Sequence, residues 1–380
     1  MGGGDRQLQT QTGSSGYVQT RWKMEINVNR NPLRTGKVFT MIRIFGLALL
    51  TGAMTALAMA QTAATTPQAG NAPAAGLHSP QISPEEKARN EAAYSAYLKA
   101  PDSEGTGPYP AIKEEDPSLP DHVVYRPKDI SKVGKRQLGL IGWGNGACAA
   151  DGAGSRFELA EIASHGYIVI APGGIHSGPG SIPLPPPPPG ATKFQMATST
   201  ADVKAGIDWA LAENARPSSS YFGKIDPAQI GVAGFSCGGI HALEMAGDPR
   251  VKALIMQNSG MFPDDSKIFE GLKVNKATLQ TLRTPVLYIL GGPTDIAYEN
   301  GMDDFKRINQ VPVMVVSNNS GHGGDFIKPN GGPSAFVAAE WFDWQLRADK
   351  EAEKYFVGPD CGICKDPEWK VERKNFSTAQ

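Results

Sequence analysis

The sequence predicts an α/β protein built on a doubly wound, mostly parallel sheet with helices on both faces. Between residues 122 and 350, short apolar runs alternate with segments of helical spacing, which is typical of parallel strands joined by crossover helices. Several runs, such as residues 167–171, are apolar at every position and are expected to be buried on both sides. A chain of 380 residues that is 40% apolar can furnish such a core.

Each element is predicted from local signals. A Ser-x-x-Glu pattern at Ser83, followed by good helix formers, predicts a helix over residues 84–100. Helical spacing predicts further helices over residues 157–164, 200–214 and 336–350. Apolar runs predict strands at residues 122–125, 137–143, 167–171, 229–235, 251–257, 285–290 and 311–316. The Gly- and Pro-rich residues 173–190 are expected to form a functional or mobile loop.

Residues 41–60 have the layout of a secretory signal peptide, with a basic residue, an apolar stretch and a closing Ala58-Met59-Ala60. We expect translation to start at Met41, so that residues 1–40 are a non-native or disordered extension. A membrane anchor is the alternative interpretation, because about 20 apolar residues can span a bilayer.

The rest of the chain divides into three parts. Residues 61–85 have the composition of a flexible linker, residues 86–350 carry the predicted α/β domain, and residues 351–380 form a polar tail with a Cys-x-x-Cys motif. Cleavage of the signal peptide would leave a secreted or periplasmic protein without a stable membrane partner. The 37 basic and 38 acidic residues nearly cancel and do not cluster, which argues against a nucleic-acid partner.

The motif Gly234-Phe-Ser236-Cys-Gly238 lies between a predicted strand and a predicted helix. In that context it is typical of a nucleophile elbow, where glycines are needed because the sharp turn leaves no room for side chains beside the nucleophile. Ser236 is therefore the predicted nucleophile. The alternative is that Ser236 serves only as a helix N-cap.

A serine hydroxyl needs a base to take its proton, and histidine has a pKa suited to that task near neutral pH. His322, in a glycine-rich loop after the last predicted strand, is the predicted base. Asp295 directly follows the strand over residues 285–290 and is predicted to orient the imidazole. The order Ser236, Asp295, His322 is the order in which α/β-hydrolases present these groups.

Other titratable side chains near these motifs are expected to be structural. His165 ends a predicted helix and is expected to cap a carbonyl group, while His241 is expected to face a helix neighbour. Three acids are expected to lie at a helix N-terminus, where the helix dipole favours them: Glu299, Asp303 and Asp304.

Acyl transfer also needs hydrogen-bond donors for the developing oxyanion. The backbone N–H of Cys237 is the first predicted donor, and Asn145 or its neighbour in the Gly-Asn-Gly loop is the second, because glycines let that backbone approach a substrate. Four residues are predicted to line an open cleft for acyl or aromatic groups: Trp143, Ile175, His176 and Phe235.

The four cysteines suit a chain that leaves the cytoplasm. Cys148 lies just past the predicted oxyanion loop and Cys237 lies beside the nucleophile, so the two are predicted to be within disulfide distance. Two buried free thiols are the alternative. Cys361 and Cys364 are predicted to form a local disulfide rather than a redox motif or a zinc site, since no other Cys or His lies nearby.

The chain carries a set of motifs that resemble a known family: Gly142-Trp-Gly-Asn-Gly146, Ala163-Ser-His-Gly-Tyr-Ile-Val-Ile-Ala171, the elbow, Tyr298-Glu-Asn-Gly301 and Gly321-His-Gly-Gly324. They are similar to motifs of bacterial and fungal α/β-hydrolases related to the chlorophyllase-like, dienelactone-hydrolase-like and polyester-hydrolase-like enzymes. The resemblance implies an α/β-hydrolase fold, the triad Ser236, Asp295 and His322, and ester hydrolysis. Cys237 departs from the family, in which Met, Gln or Arg is common at this position.

The combined expectation is a secreted serine hydrolase that cleaves carboxylic esters, on small molecules or polymers, through an acyl-enzyme on Ser236. Polyester depolymerase or peptidase action on the same triad is an alternative. A secreted binding protein that has kept the fold and lost turnover is another. No metal and no organic cofactor is expected for this chemistry.

Overall fold

The computed structural model describes residues 83–185, 195–264, 266 and 273–376. The predicted N-terminal extension and signal peptide lie outside the described residues, as does most of the predicted linker. Within the described ranges, no helix is both long enough and apolar enough to cross a bilayer. The assignments for residues 1–82 therefore stay predictions.

The described residues contain nine strands: β1 (Ala111–Glu114), β2 (His122–Pro127), β3 (Leu138–Gly144), β4 (Tyr167–Pro172), β5 (Ile225–Phe235), β6 (Val251–Gln257), β7 (Val286–Leu290), β8 (Val313–Ser317) and β9 (Lys370–Lys374). They form one sheet in the order β1-β2-β4-β3-β5-β6-β7-β8-β9. The six strands from β4 to β8 in that order are parallel, whereas the pairs β1/β2, β2/β4 and β8/β9 are antiparallel. The prediction of an α/β protein with a mostly parallel sheet is confirmed.

Eight α-helices accompany the strands in the described part of the chain: α1 (Pro84–Lys99), α2 (Arg156–Ser164), α3 (Thr200–Ala215), α4 (Cys237–Met245), α5 (Tyr298–Arg307), α6 (Gly332–Arg347), α7 (Lys350–Phe356) and α8 (Gly362–Lys365). Short 3-10 turns occur at Ile130–Arg136, Gly146–Cys148, Lys276–Thr281 and Pro329–Gly331. Ser83 caps α1, since its Oγ accepts a hydrogen bond from the N–H of Glu86 at 3.1 Å. Every helix and strand that the sequence predicts is present, with ends shifted by a few residues.

The sheet is buried on both faces because successive residues of its central strands point into two different apolar clusters. Leu140 of β3 packs with Ile207 of α3 on one side. Ile141, the next residue, packs with Leu159 of α2 and Trp341 of α6 on the other side. This two-sided burial accounts for strand sequences that are apolar at every position.

The sequence does not predict the two outermost strands, β1 and β9. The residues of β9 are Lys-Val-Glu-Arg-Lys, and a sequence with this many charges does not have the apolar pattern that predicts a strand. The strand forms because its backbone pairs with β8 at the edge of the sheet, where charged side chains can face water. The segment predicted as a polar tail thus extends the sheet. Its Phe356 and Ile363 are buried in the same apolar cluster as Trp341.

Candidate active site

Four loops that carry predicted site residues leave the same edge of the sheet. Asn145 follows β3, Ser236 follows β5, Asp295 follows β7 and His322 follows β8, and these four strands are parallel. The chain also changes direction across the sheet here, because β4 lies on one side of β3 and β5 lies on the other. Ligands of open α/β sheets bind in the crevice at such a switch point, outside the carboxyl ends of the strands.

Ser236 lies in the sharp turn between β5 and α4. Its backbone angles, φ 52° and ψ −121°, are outside the regions that non-glycine residues ordinarily occupy. Neighbouring glycines make this turn possible. A Cβ added to Gly234 would lie 2.2 Å from the carbonyl oxygen of Gly238, and one added to Gly238 would lie 2.0 Å from the carbonyl carbon of Gly144.

The structure brings the predicted nucleophile, base and acid together. Ser236 Oγ lies 3.0 Å from His322 Nε2, and His322 Nδ1 lies 2.7 Å from Asp295 Oδ1. Both distances are within hydrogen-bond reach, which proton transfer from the hydroxyl requires. Asp295 next to Nδ1 favours the tautomer in which Nε2 has a free lone pair for the serine proton.

The carboxyl group of Asp295 is held rigidly. It is fully buried, its Oδ1 accepts the N–H of Ala297 at 2.9 Å, and its Oδ2 accepts the N–H of Gly291 at 3.1 Å. Burial opposes ionisation, but the hydrogen bond and the charge of His322, together with the backbone donors, hold the pKa of Asp295 below its usual value. Asp295 is therefore an ionised carboxylate that can stabilise an imidazolium.

Sequence reasoning missed two residues that support these groups. Asn258 Nδ2 donates to Asp295 Oδ2 at 3.0 Å and to the carbonyl oxygen of Gly321 at 2.9 Å, so one amide group ties the acid to the loop that carries the base. Ser259 Oγ donates to the carbonyl oxygen of Ser236 at 2.7 Å. The sequence signal that could have identified them is that two polar residues directly follow β6, the strand next to β5 in the sheet.

The predicted oxyanion donors lie on either side of Ser236. Cys237 is the first residue of α4, so its N–H belongs to the helix turn that lacks intrahelical acceptors. The side chain of Asn145 is already engaged, since Nδ2 donates to the carbonyl oxygens of Ala149 at 2.9 Å and Pro172 at 2.6 Å. Asn145 therefore shapes the loop with its side chain, which leaves main-chain N–H groups of this loop as the candidate donors.

A disulfide joins the loop after β3 to the elbow. Cys148 and Cys237 are bonded, with their Cα atoms 5.3 Å apart, which confirms the predicted pairing. Cys361 and Cys364 form the second, local disulfide, with their Cα atoms 5.2 Å apart. The first bond holds the candidate oxyanion loop against the residue that follows Ser236.

His241 lies next to this disulfide rather than facing only helix neighbours. Its ring is buried and its Nε2 is 3.5 Å from Cys148 Sγ. Burial lowers the pKa of His241, against the opposing charges of Glu244 and Asp202. The proximity was not predictable, because it depends on the fold of a loop 93 residues earlier in the chain.

The four predicted cleft residues separate into two groups. Phe235 is partly exposed beside His322, and the centroids of the two rings are 5.5 Å apart. Ile175 and His176 are also partly exposed, and His176 Nδ1 lies 2.8 Å from the carbonyl oxygen of Ile182 in the Gly- and Pro-rich loop. Trp143 is fully buried in the core and cannot line an open cleft, because both faces of β3 are covered by helices.

Two expectations for acids near α5 need correction. Glu299 lies in the first turn of this helix, as predicted, but Asp303 and Asp304 lie well beyond that turn. Asp304 is fully buried, and its Oδ1 lies 2.6 Å from the Nζ of Lys276. A charged partner from a distant 3-10 turn, rather than the helix dipole, explains its position.

A further buried acid, Glu158, lies close to Asp325 in the loop that follows His322. Glu158 of α2 is fully buried, and burial, together with the charge of Asp325, raises its pKa to about 8. The Glu158 carboxyl is therefore mostly neutral at pH 7. Asp325, three residues beyond His322, accepts a hydrogen bond from Asn318 Nδ2 at 3.3 Å.

His165 does not cap a carbonyl group through its ring. Its Nε2 lies 3.4 Å from Glu161 Oε1 and its Nδ1 lies 3.7 Å from Asp343 Oδ2. Burial opposes protonation, but the two carboxylates raise the pKa of His165 to about 9. This histidine is therefore a partly buried cation at neutral pH.

No protein-family model matches the chain, and no curated protein matches its sequence at a significant level.

Proposed function

We propose that this protein is a serine hydrolase with an α/β-hydrolase fold that cleaves carboxylic esters through an acyl-enzyme on Ser236. The observation that carries the proposal is the unbroken series of contacts from Ser236 Oγ through His322 to a buried, ionised Asp295. Its location at the switch point of the sheet and the strained turn at Ser236 support the same conclusion.

The proposed reaction has two acyl-transfer steps. Ser236 Oγ attacks the ester carbonyl carbon as its proton passes to His322 Nε2, and main-chain N–H groups of Cys237 and the loop of Asn145 stabilise the oxyanion. The ester C–O bond then breaks, and His322 gives its proton to the departing alcohol. Water attacks the acyl-enzyme by the same route, which releases the acid and restores the Ser236 hydroxyl. Asp295 stays ionised throughout and stabilises the imidazolium.

The surroundings of the triad favour an apolar acyl or aromatic group. Phe235 packs edge-on against Phe326, with ring centroids 4.7 Å apart, and lies beside His322. We place the acyl group of the ester against Phe235, and we assign Ile175 and His176 to the outer part of the same cleft. We also propose that the protein is exported, which its two disulfides favour.

Reaction with a fluorophosphonate probe, read by intact mass and by peptide mapping, tests the nucleophile. We expect wild type to gain one probe per chain at Ser236 and to hydrolyse p-nitrophenyl esters. Ser236→Ala should take up no probe and lose at least about 10⁵-fold in ester turnover. Ser131→Ala is the matched control, because Ser131 is an exposed serine at the opposite edge of the sheet from Ser236.

The proposal fails if folded wild type resists the probe, or if Ser236→Ala still reacts with it. The ester panel should span short to long acyl chains and include peptide p-nitroanilides of matched size. Turnover of the anilides without turnover of any ester would assign the site to peptidase chemistry instead.

A further inference from the structure

Three side chains around the Cys148–Cys237 disulfide form a compact group that the proposed hydrolysis does not use. Cys148 Sγ, Cys237 Sγ and one ring nitrogen of His241 all lie within 4.8 Å of one another, and all three residues are buried. In the described residues this is the single group of three or more metal-binding side chains so arranged. Hydrolysis uses only the backbone N–H of Cys237, so these side chains are available for another role.

The separation between Cys148 Sγ and the His241 ring fits two ligands of a tetrahedral zinc ion. Zn–S bonds of about 2.3 Å and Zn–N bonds of about 2.0–2.1 Å place a sulfur and a nitrogen ligand about 3.6 Å apart in tetrahedral geometry. The observed separation from Cys148 Sγ to His241 is 3.5 Å at Nε2 and 3.8 Å at Nδ1. Two thiolates and an imidazole are ligands that zinc prefers.

The backbone holds the three ligands in place independently of the S–S bond. Cys237 and His241 are four residues apart on α4, so their side chains lie on one face of the helix. The carbonyl oxygen of Cys148 accepts hydrogen bonds from the N–H groups of Ala197 and Thr198, each at 3.0 Å. Opening the disulfide therefore leaves both sulfur atoms close to the imidazole.

We propose that the reduced form of this protein carries a zinc site made by Cys148, Cys237 and His241, with water as the fourth ligand. The disulfide and the zinc site are alternative states of the same two cysteines. Two thiol groups of a reductant supply two electrons and two protons, so that the S–S bond becomes two thiols and the reductant becomes a disulfide. Zn²⁺ then displaces both thiol protons and binds the two thiolates and the neutral imidazole.

The second disulfide provides an internal comparison. Cys361 and Cys364 also lie close together, but no histidine or acid completes a group of three with them in the described part of the chain. Reduction should therefore create two free thiols there and a zinc site only at Cys148 and Cys237.

Zinc content after reduction and desalting, with Co²⁺ as a spectroscopic probe, tests this proposal without reference to hydrolysis. We expect the full chain, reduced with a phosphine, to bind one zinc ion and to show thiolate-to-cobalt charge-transfer absorption with the visible bands of tetrahedral Co²⁺. The oxidised chain should show neither signal. Reduced Cys361→Ser/Cys364→Ser should behave as reduced wild type.

Two variants should lose the site. Cys148→Ser/Cys237→Ser removes both sulfur ligands, and His241→Phe keeps the cysteines while it removes the nitrogen ligand. We expect the first to show no charge-transfer band, and the second to bind zinc at least about tenfold more weakly. The proposal is overturned if reduced Cys361→Ser/Cys364→Ser binds no zinc, if His241→Phe binds as tightly as wild type, or if the disulfide is reduced only when the chain unfolds.

Discussion

Two histidine–carboxylate pairs lie at opposite ends of the same sheet, and they differ in what faces the second ring nitrogen. His322 follows β8 at the carboxyl edge, where one nitrogen meets Asp295 and the other meets the hydroxyl of Ser236. His165 precedes β4 at the amino edge, where its two nitrogens meet the carboxylates of Asp343 and Glu161.

This difference decides what each imidazole can do. Two carboxylates stabilise the charged form of His165 and leave no nitrogen lone pair to accept a proton at neutral pH. A single carboxylate orients His322 and leaves its second nitrogen open to a hydroxyl. Whether a histidine beside an aspartate is a structural cation or a candidate base thus depends on the group that faces its other ring nitrogen.

The two aspartates are also held differently. Apart from His322, Asp295 is bound by uncharged donors, namely the Asn258 amide and backbone N–H groups. Asp343 accepts from Arg347 at 2.6 Å, from Arg136 at 3.0 Å and from the Tyr167 hydroxyl at 2.8 Å. Although burial opposes it, the neighbouring His165 and these arginines lower the pKa of Asp343 to about 2. The uncharged donors hold the Asp295 carboxylate in one orientation, whereas the charged partners of Asp343 form ion pairs that stabilise the fold.

Replacing His322 and His165 in turn should give the largest difference in ester turnover between the two histidine–carboxylate pairs. His322→Gln should lose about 10⁵-fold in the proposed ester turnover, because it removes the proposed base, with little change in unfolding free energy. His165→Gln should keep wild-type turnover within about threefold. Steady-state kinetics and urea unfolding of both variants check this, and comparable losses of turnover in the two would contradict the distinction.

The two aspartates offer the next largest contrast. Asp295→Asn keeps the size of the side chain but stabilises the wrong imidazole tautomer, so turnover should fall about 10³–10⁴-fold. Asp343→Asn should retain turnover and lose about 3 kcal/mol of unfolding free energy, since buried positive groups lose their counter-charge. Kinetics and chemical denaturation of the same samples measure both effects.

The charge on His165 predicts how stability depends on pH. Its pKa is about 9 in the fold and about 6.5 in an unfolded chain, so its stabilising effect is complete below about pH 6.5. It is lost as the pH rises through 9. The unfolding free energy of wild type should therefore exceed that of His165→Gln by about 2 kcal/mol at pH 6 and by little at pH 10. A difference that is constant with pH would show that His165 is not charged in the fold.

The smallest effects should come from the groups that hold the two acids. Asn258→Ala removes an amide donor from Asp295 and should reduce turnover about tenfold, with kcat affected more than KM. Tyr167→Phe removes the hydroxyl donor from Asp343 and should cost about 1 kcal/mol of stability with no kinetic effect. Equal kinetic losses in the two variants would mean that Asn258 acts only through stability.

Much of the candidate site could be predicted from the sequence because its signals are local. The glycines around Ser236 reflect the steric limits of one turn, and Asp295 and His322 each follow an apolar run that reads as a strand. Of the side chains around Ser236, Asp295 and His322, Phe235 was predicted, but others were not. Trp143 is a large aromatic residue of the kind that lines clefts, yet it is buried in the core. No local sequence pattern at Asn258 indicates that its side chain bridges Asp295 and Gly321.

By itself, the sequence determined the α/β class, the seven strands from β2 to β8 with the helices that join them, the turn at Ser236 and the chain order of Ser236, Asp295 and His322. Only the tertiary structure decided that His165 faces two carboxylates and that His241 lies beside the disulfide. The reason is physical: turns and strands depend on residues close in sequence. The partners of a buried side chain come from segments that meet only when the sheet is assembled.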